Sequence, residues 1–311
     1  MKRSSRGDFA YFQSPAMAAP KPENIINENK PLKAYYDSIE SRLGYRFFLG
    51  GARHFGYWEN DTRWPFPLGP ALQRMEDRLA QTLDLPAGSR CLDAGCGNGR
   101  VATRLASAHG LKIQAIDFHP RHVARAQQNI RKAGLEQSIS VQRADYHHLE
   151  AFEDGNFDGV YTIEAFVHAT DPKAVLQGFF RVLKPGGHLG LHEYAHVDGK
   201  TDMDRDFAMV NEYAAMPANV SFGVDTLPEM LKEVGFEDVK VIDIAPNILP
   251  ILRLFYVIAY LPYLIARALR LERYFINAVA AVVAYKHFDL HRYYAIQARK
   301  PQRKEHSDIQ Q

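Results

Sequence analysis

The feature that most constrains the fold is a glycine-rich segment between residues 92 and 100. A short apolar run ends at Asp93, and glycine then occupies every second position, at Gly95, Gly97 and Gly99. Glycine permits tight turns and lets a ligand approach the main chain, because no Cβ atom stands in the way. A helix predicted to begin after the loop directs its free N–H groups and its positive dipole end toward that ligand. The segment therefore predicts a strand, a loop and a helix that hold a nucleotide-like cofactor.

The spacing of the loop excludes two common nucleotide-binding motifs. The dinucleotide fingerprint needs a further glycine three residues after the second one, and that position is Arg100. The Lys-Ser/Thr ending of a phosphate-binding loop is also absent. Taken alone, the loop leaves an ordinary strand–helix turn as the alternative, and the residues downstream decide between the two.

Four further motifs follow the glycine loop in order, each at a predicted strand. They are residues 111–117 ending in Asp117, residues 141–146 containing Asp145, residues 157–164 ending in Glu164, and the turn-containing residues 182–189. An acid about 20 residues after the glycines, at the tip of the next strand, can bind both hydroxyls of a ribose. The chain thus repeats the pattern of an apolar strand followed by a polar tip.

These five motifs, spread over residues 90–195, resemble those of class I S-adenosylmethionine (SAM)-dependent methyltransferases, in which an acidic residue precedes Gly-x-Gly-x-Gly. The resemblance implies that Asp93 faces the amino group of SAM and that Gly95 and Gly97 lie under its methionine part. It also implies that Asp117 binds the ribose and Asp145 the adenine. The cofactor-binding set that it implies is Tyr57, Trp58, Asp93, Gly95, Cys96, Gly97, Asp117, Phe118, His122, Asp145, Tyr146 and Ile163. SAM is the expected cofactor, and no metal site is expected.

The alternation of strand and helix patterns predicts a parallel sheet between layers of helices. The expected fold class is α/β: a Rossmann-like, seven-stranded methyltransferase sheet, mostly parallel with an antiparallel last strand, plus an N-terminal aromatic cap and an apolar helical insertion before the last strand. Thr226–Glu229 is interpreted as a capping box at a helix start. The predicted divisions are a disordered tail at 1–30, the cap at 31–69, the core at 70–245, the insertion at 246–291, the last core strand at 292–300 and a polar tail at 301–311.

The composition bounds the location and the partners of the chain. Its 311 residues, 46% of them hydrophobic, can form one large core with a cap. Two cysteines, Cys91 and Cys96, imply no disulfide framework and a reducing compartment, and Cys96 is interpreted as a small loop residue with a reactive thiol as the alternative. No apolar signal-peptide core follows the basic residues 1–3, so we expect a cytoplasmic location, with attachment to an internal membrane as the alternative. The net charge of +2 and the lack of a basic stripe predict no nucleic-acid partner.

An aromatic segment at residues 44–58, which also contains His54, resembles the sterol C-methyltransferase and cyclopropane synthase branch, in which such a segment folds over the cofactor. Tyr57 and Trp58 are expected to border the sulfonium, because aromatic faces attract cations within about 6 Å. The alternative is that these rings pin the N-terminal arm to the core. The branch's aromatic-Glu-aromatic-Gly-Trp-Gly run is absent from residues 35–58, so sterol side-chain methylation is not implied.

The insertion at residues 246–291 carries the information about the substrate. Residues 248–265 are unusually apolar but contain Arg253 and Pro262, and the unbroken run is shorter than the roughly 20 residues of a membrane span. Three arginines and a second apolar helix over 274–285 follow. The favoured interpretation is the lid of a lipophilic pocket. The alternatives are a lid that also contacts a membrane through 248–285, and a homodimer interface.

Candidate catalytic residues follow from the needs of methyl transfer, which are an in-line acceptor and the exclusion of water. His168 is the first candidate base, because its ordinary pKa of about 6.5 lies near working pH. His54, Glu164 and Glu193 come next, the last from Leu191–Tyr194 after the predicted fifth strand. The same groups would stabilise a carbocation if the acceptor were an alkene carbon.

The predicted function is methyl transfer from SAM to a lipophilic small molecule, a natural product or a sterol-like lipid, with nitrogen, oxygen or carbon as the acceptor atom. The overall pattern is similar to that of fungal secondary-metabolite methyltransferases. Two alternatives remain open. One is a non-catalytic SAM-binding scaffold that regulates a partner, and the other is a protein methyltransferase.

Overall fold

The computed structural model describes residues 26, 29–38, 51–197, 205–220, 222, 223 and 225–302. The predicted disorder of residues 1–30 and the polar tail at 301–311 fall almost wholly outside the described residues, as does the first half of the aromatic segment, residues 44–50.

A single twisted sheet forms the centre of the described part of the chain. Its strands are β1 (Arg90–Ala94), β2 (Lys112–Asp117), β3 (Ile139–Arg143), β4 (Phe157–Ile163), β5 (Leu183–His196), β6 (Glu237–Asp243) and β7 (His291–Arg299). Their spatial order is β3-β2-β1-β4-β5-β7-β6. The pairs among β1 to β5 are parallel, and β7 runs antiparallel to both β5 and β6. The predicted fold class is confirmed.

The strand order reverses between β1 and β4, which opens a crevice at the carboxyl ends of these two strands. β1 is followed by β2 and β3 on one side, whereas β4 and β5 continue on the other. Ligands of open α/β sheets bind at such switch points. The topology therefore places the tips of β1, β2 and β4 at one site.

The helices are α1 (Lys30–Asp37), α2 (Leu68–Leu83), α3 (Arg100–His109), α4 (Pro120–Ala133), α5 (Pro172–Val182), α6 (Arg205–Tyr213), α7 (Thr226–Val234), α8 (Leu249–Leu269) and α9 (Ile276–Lys286). At the start of α7 the predicted capping box is wrong. Thr226 is the first helical residue, and its hydroxyl accepts a hydrogen bond from the Gly223 N–H at 3.0 Å.

Helices cover both faces of the sheet. On one face, α2, α3 and α4 pack on β1 and β2 through a cluster that includes Leu79, Leu105 and Ile130. On the other face, α5 and α7 pack on β4 and β5 through Phe179 and Leu231. The central strands β1 and β4 are buried on both sides, as in other parallel sheets.

The insertion between β6 and β7 is a helical hairpin of α8 and α9 that packs on α6. Arg253 and Pro262, which interrupt the apolar run in the sequence, both lie within the continuous helix α8. Ala245–Leu269 is long and apolar enough to cross a membrane by length and composition, and a third of its most apolar stretch is buried in the protein. One side of α8 faces inward, while Val257 and Leu261 on the other side are 71% and 65% exposed.

Candidate active site

The glycine loop after β1 forms a bare cradle of main chain. Gly95, Gly97 and Gly99 have φ values of +105°, +53° and +75°, in the region that favours glycine. A Cβ atom at Gly95 would lie 2.8 Å from the Cβ of Ala165, and one at Gly97 would lie 2.9 Å from Cδ of Arg53. These close approaches require glycine at both positions, and they leave the loop backbone without a Cβ atom where the sequence predicts the cofactor.

Asp117 at the tip of β2 is a buried, charged carboxylate beside this cradle. Its Oδ2 accepts a hydrogen bond from the Gly97 N–H at 2.9 Å, and its Oδ1 accepts one from the His119 N–H at 2.8 Å. Nδ1 of His122 lies 3.2 Å from both oxygens. Burial acts to raise the pKa of Asp117, but the charge and hydrogen bonds of its partners outweigh burial, and the pKa is lowered. The predicted ribose-binding acid therefore stands ionised next to the loop.

One carboxyl oxygen of Asp93, near the end of β1, is unsatisfied. This Oδ2 is buried and has no hydrogen-bond partner among the described residues, and burial raises the pKa of Asp93 to about 8, against a smaller lowering by the hydroxyl of Tyr161. A buried oxygen of this kind needs a donor, and the amino group of a bound amino acid is one. Asp145, past the end of β3, accepts hydrogen bonds from the backbone N–H and from the ring Nδ1 of His147, at 3.0 and 2.6 Å.

The bare loop, the unpartnered Asp93 oxygen and the ionised Asp117 together fit SAM. Asp93 would hold the amino group, Asp117 the ribose, and the loop the methionine part, as the resemblance implies. Cys96 within the loop is 7% exposed, and burial raises the pKa of its thiol well above the usual range. Burial and a raised thiol pKa favour the interpretation of Cys96 as a small loop residue over the alternative of a reactive thiol.

The remaining predicted cofactor residues lie at other points around the loop. The hydroxyl of Tyr146 donates to the Ala165 carbonyl at 2.9 Å, and its ring edge comes within 3.9 Å of a Cβ at Gly95. Phe118 is half-buried at the tip of β2, 5.9 Å from the ring of His119. Ile163 ends β4 and packs between two hydrophobic clusters. Their contacts with a bound cofactor stay predictions.

Tyr57 and Trp58 were both expected to border the sulfonium of SAM, and Trp58 does not fit that position. The indole of Trp58 is 2% exposed, donates to the Pro65 carbonyl at 3.1 Å, and packs with Leu72 and Ile251. Its contacts join the cap to α2 and α8, so the expectation that it borders the sulfonium is corrected in favour of the pinning alternative. Tyr57 is half-buried in a neighbouring cluster around Met75, and its role stays a prediction.

Two residues at the cofactor loop were not among the predicted site residues. Arg53 lies against Gly97, with its guanidinium 4.9 Å from the ring centre of Tyr36. Tyr36, on α1, also contacts the ring of His122 edge-on at 5.0 Å. Tyr36 thus connects helix α1 to the side chains around the loop, and Arg53 places a cation directly beside Gly97. The sequence signal that could have identified Arg53 is the presence of a cation within the aromatic segment 44–58.

His168 lies between the cofactor loop and the insertion. Its Nδ1 is 2.7 Å from the Ala215 carbonyl, which only accepts, so Nδ1 carries the proton. Its Nε2 therefore accepts from the hydroxyl of Tyr36 at 3.1 Å. Burial lowers the pKa of His168 to about 4, and the ring is neutral near pH 7. His168 is therefore in the neutral form that a base needs, but the lone pair on its Nε2 already accepts a hydrogen bond from the hydroxyl of Tyr36.

Glu164 follows β4 in a left-handed conformation, with φ at +52°. Its Oε1 accepts from the Phe55 N–H at 2.7 Å and from the hydroxyl of Tyr293 at 2.9 Å, and its Oε2 accepts from the hydroxyl of Tyr194. Burial raises its pKa. A left-handed backbone at a residue other than glycine persists only where surrounding contacts stabilise it. At Glu164 the hydrogen bonds from Phe55, Tyr293 and Tyr194 provide those contacts.

The structure corrects the expected roles of Glu193 and His54. Glu193 lies within β5 rather than after it, and its Oε1 accepts from Thr162 and from two backbone N–H groups at 2.7 to 3.1 Å. Burial raises its pKa to about 7. His54 is buried against Glu76 of α2, with Nε2 3.2 Å from the carboxylate. Both contacts stabilise the scaffold around the site and do not place either group at a substrate.

A cavity of about 530 Å³ begins at Glu164 and His168 and extends under the insertion. Most of the side chains that line it are aliphatic or aromatic. They are Tyr35, Phe55, Glu164, His168, Tyr194, Ala195, Phe207, Val210, Ala214, Met216, Asn219, Ile248, Leu252, Phe255, Ile258, Ala259, Pro262, Phe275, Asn277, Ala278, Ala280, Ala281, Val283, Ala284, His291 and Arg292. Its size and lining are typical of a site for a lipophilic small molecule.

Comparison with known proteins agrees with this site. Residues 92–191 match the family model of a methyltransferase domain. The chain is 39% identical over 279 residues to the S-adenosyl-L-methionine-dependent Diels-Alderase iccD of Talaromyces variabilis, covering 88% of this chain and 95% of that protein. It is 33% identical to the O-methyltransferase resE of Aspergillus sclerotiorum over 70% of this chain and 80% of that protein.

The structural comparison gives the same result. The [4+2]-cyclase SpnF superposes with a TM-score of 0.71 and 26% identity, covering 90% of this chain and 98% of that one. The cyclopropane synthase MmaA2 of Mycobacterium tuberculosis shares the fold, with a TM-score of 0.72, 18% identity and coverage of 89% and 100%.

The glycine cradle, the switch-point crevice and these relatives define an enzyme of the α/β methyltransferase class. The chain belongs to the SAM-dependent methyltransferase family, with SAM as its cofactor. The predictions of family, enzyme class and cofactor, including the resemblance to fungal secondary-metabolite enzymes, are confirmed.

Proposed function

We propose that this protein binds SAM and catalyses the intramolecular [4+2] cyclisation of a lipophilic polyene held in the cavity. The observation that carries the proposal is the apolar cavity that starts beside the cofactor loop at Glu164 and His168. The relative that matches 88% of the chain is named a Diels-Alderase, whereas the O-methyltransferase resE matches 70%. SpnF, named a [4+2]-cyclase, is similar over 90% of the chain.

The hydrogen bonds of the two titratable groups at the start of the cavity, His168 and Glu164, favour a reaction without proton transfer. His168 is neutral, with Nε2 bonded to Tyr36, and Glu164 is held by three donors. In a [4+2] cycloaddition, two π bonds of a diene and one of an alkene become two σ bonds and one new π bond. The product is an isomer of the substrate, and no proton, electron or leaving group is exchanged.

The chain's own residues restrict the conformation of the substrate. Phe55, Phe255 and Phe207 give the cavity flat apolar walls, which favour a folded polyene whose diene and alkene lie close together. Holding reacting groups in this way can supply several kcal/mol, up to about 10. When bound, SAM supplies a fixed positive charge at the cofactor loop, and an electrophilic methyl group for an acceptor that is nucleophilic.

Methyl transfer to a lipophilic acceptor is the second candidate function. It is supported by the position of His168, which lines the cavity and carries a lone pair on Nε2. Once Tyr36 moves away, that nitrogen can take a proton from a hydroxyl or amine acceptor. The acceptor atom would be nitrogen, oxygen or carbon in a natural product or a sterol-like lipid.

One assay separates these functions. A synthetic linear polyene with a conjugated diene and an alkene next to a carbonyl is incubated with the protein and SAM carrying a deuterated methyl group, and the products are analysed by mass spectrometry. Cyclisation yields a product of unchanged mass, without the label and without S-adenosylhomocysteine. A labelled product with an equal amount of S-adenosylhomocysteine would overturn cyclisation and support methyl transfer. No product beyond the uncatalysed background would favour the non-catalytic scaffold.

A cavity-filling variant shows where the reaction occurs. Ala281→Trp places an indole in the cavity, and it should abolish turnover of the polyene while leaving SAM affinity unchanged. Ala108→Trp, on the exposed side of α3, is the matched control and should keep full turnover. Equal turnover by both variants would contradict the assignment of the cavity as the substrate site.

A further inference from the structure

We propose that the outer side of α8 docks on an anionic lipid surface and that the cavity receives its substrate from there. The docking surface consists of exposed side chains along one side of α8 and the turn after it. They are Val257, Leu261, Leu264, Ile265, Leu269 and Tyr274, between 45% and 71% exposed. Contiguous exposed apolar side chains of this kind mark interaction sites on proteins.

The charges beside this docking surface favour anionic lipid. Arg267, Arg270 and Arg273 are all exposed at the end of α8 and in the following turn. Glu272 is the acidic residue in this segment and lies 4.0 Å from Arg267, so residues 267–273 carry three positive charges against one negative charge. Exposed apolar side chains next to a cluster of cations match the acyl and headgroup layers of a bilayer surface.

Helix α8 lies on the surface rather than across a membrane in this proposal. Its inner side is packed, with Tyr263 and Ala266 8% and 1% exposed, against the cluster formed with α6 and α9.

The mouth of the cavity opens on this docking surface. Ile258 and Phe275 line the cavity and are also 41% and 42% exposed. A lipophilic molecule dissolved in the bilayer can therefore enter between α8 and the turn at 272–275 without crossing water. This second half of the proposal rests on the proposed function, whereas lipid docking itself does not.

Vesicle sedimentation with the full chain tests the docking. The probes are vesicles of phosphatidylcholine alone and of phosphatidylcholine mixed with phosphatidylserine. We expect binding to the mixed vesicles that is at least tenfold tighter and that weakens with added salt. Leu261→Glu should abolish binding to both kinds of vesicle, and Arg270→Glu with Arg273→Glu should abolish the preference for phosphatidylserine. Ile242→Glu, at an exposed apolar position on β6, is the matched control and should bind as the wild type does.

Two further readouts keep the outcomes distinct. Wild-type protein that stays in the supernatant would overturn the docking. A two-copy mass in solution that Leu261→Glu converts to a one-copy mass would overturn it in favour of a homodimer. Leu261 is not part of the cavity lining, so Leu261→Glu should cyclise the polyene added from solution at the wild-type rate. Failure of that reaction in both proteins would count against the proposed function and leave lipid docking standing on its sedimentation result.

Discussion

The hydroxyl of Tyr36 lies 3.1 Å from Nε2 of His168 and donates a hydrogen bond to it. Tyr36 belongs to α1 and lies among the side chains around the cofactor loop, and His168 belongs to the short turn Phe166–His168 at the end of the cavity. This bond therefore joins the cofactor site to the wall of the substrate site.

Tyr36→Phe should weaken SAM binding without unfolding the protein. The ring contacts with Arg53 and His122 remain, and one hydrogen bond of about 0.5–1.5 kcal/mol is lost. The expected effect is a two- to tenfold higher Kd for SAM, measured by calorimetry. Tyr213→Phe, at an exposed position of α6, serves as the control. An unchanged Kd would show that α1 does not close over the cofactor.

Gly95→Ala should reduce SAM affinity at least tenfold. Its φ of +105° is unfavourable for alanine, and the new Cβ would meet Ala165 at 2.8 Å, so strain of about 1–3 kcal/mol adds to the lost space above the loop. Gly69→Ala on α2 is the matched control, because nothing lies within 4 Å of its Cβ. Equal affinity in the two variants would contradict the cradle as the SAM site.

SAM binding near pH 7 should release a proton from Asp93. Burial raises the pKa of this carboxyl to about 8, so it is largely protonated when SAM is absent. A neighbouring ammonium group favours the charged form and lowers the pKa. Calorimetry in buffers of different ionisation enthalpy measures the released proton. In Asp93→Asn the release should disappear, and its persistence would place the amino group elsewhere.

Turnover of the polyene at saturating SAM should change little between pH 5.5 and 8. The pKa of His168 is lowered to about 4, so the ring stays neutral throughout this range, and a cycloaddition moves no proton. His168→Gln should keep most of the turnover once SAM is saturating. A strong loss in this variant, together with a rate that falls on the acid side, would favour a base and hence methyl transfer.

Stability should be highest near pH 6.5. Burial lowers the pKa values of His119, His168, His192 and His291 to between about 3 and 4, and raises those of Asp93 and Glu193 to about 8 and 7. Below pH 6.5 the unfolded chain binds up to four more protons on the histidines, and the folded chain two more on the carboxyls. The net difference of two protons favours unfolding as the pH falls.

Above pH 6.5 the four histidines are largely neutral in both states, and the raised pKa values of Asp93 and Glu193 account for most of the difference in bound protons up to pH 8. The folded state then loses its extra protons, and stability falls as the pH rises through 7 to 8. The expected slope on the acid side is on the order of 2 kcal/mol per pH unit. Thermal unfolding from pH 4.5 to 8.5 measures it, and a Tm that rises steadily from pH 6.5 down to pH 5 would contradict the burial of these histidines.

The sheet and the cofactor loop could be predicted from sequence because their signals are local. An apolar run, an acid and a glycine pattern specify the turn after β1 without help from the rest of the chain. The length of β5 could not be predicted, because residues 191–196 become strand by pairing with β7, as Glu193 does with Tyr294. Likewise, the bond between Tyr36 and His168 joins residues 132 positions apart, and no local pattern encodes it.

Two predicted contacts are wrong for different physical reasons. The Thr226 hydroxyl accepts from the Gly223 N–H, three residues earlier, so a competing local hydrogen bond replaces the predicted capping box. Trp58 was expected at the cofactor because its ring can attract a cation. The structure buries it instead against Leu72 and Ile251, where its apolar area is removed from water.

The helical hairpin of α8 and α9 is spliced between β6 and β7 and adds no strand to the sheet. Its cavity-lining positions can therefore change without altering the strands that carry Asp93 and Asp117, whereas the packing of Ile251 with Trp58 ties α8 to the cap. In such an architecture, a different substrate range can arise from substitutions in the hairpin while the cofactor-binding strands keep their sequence.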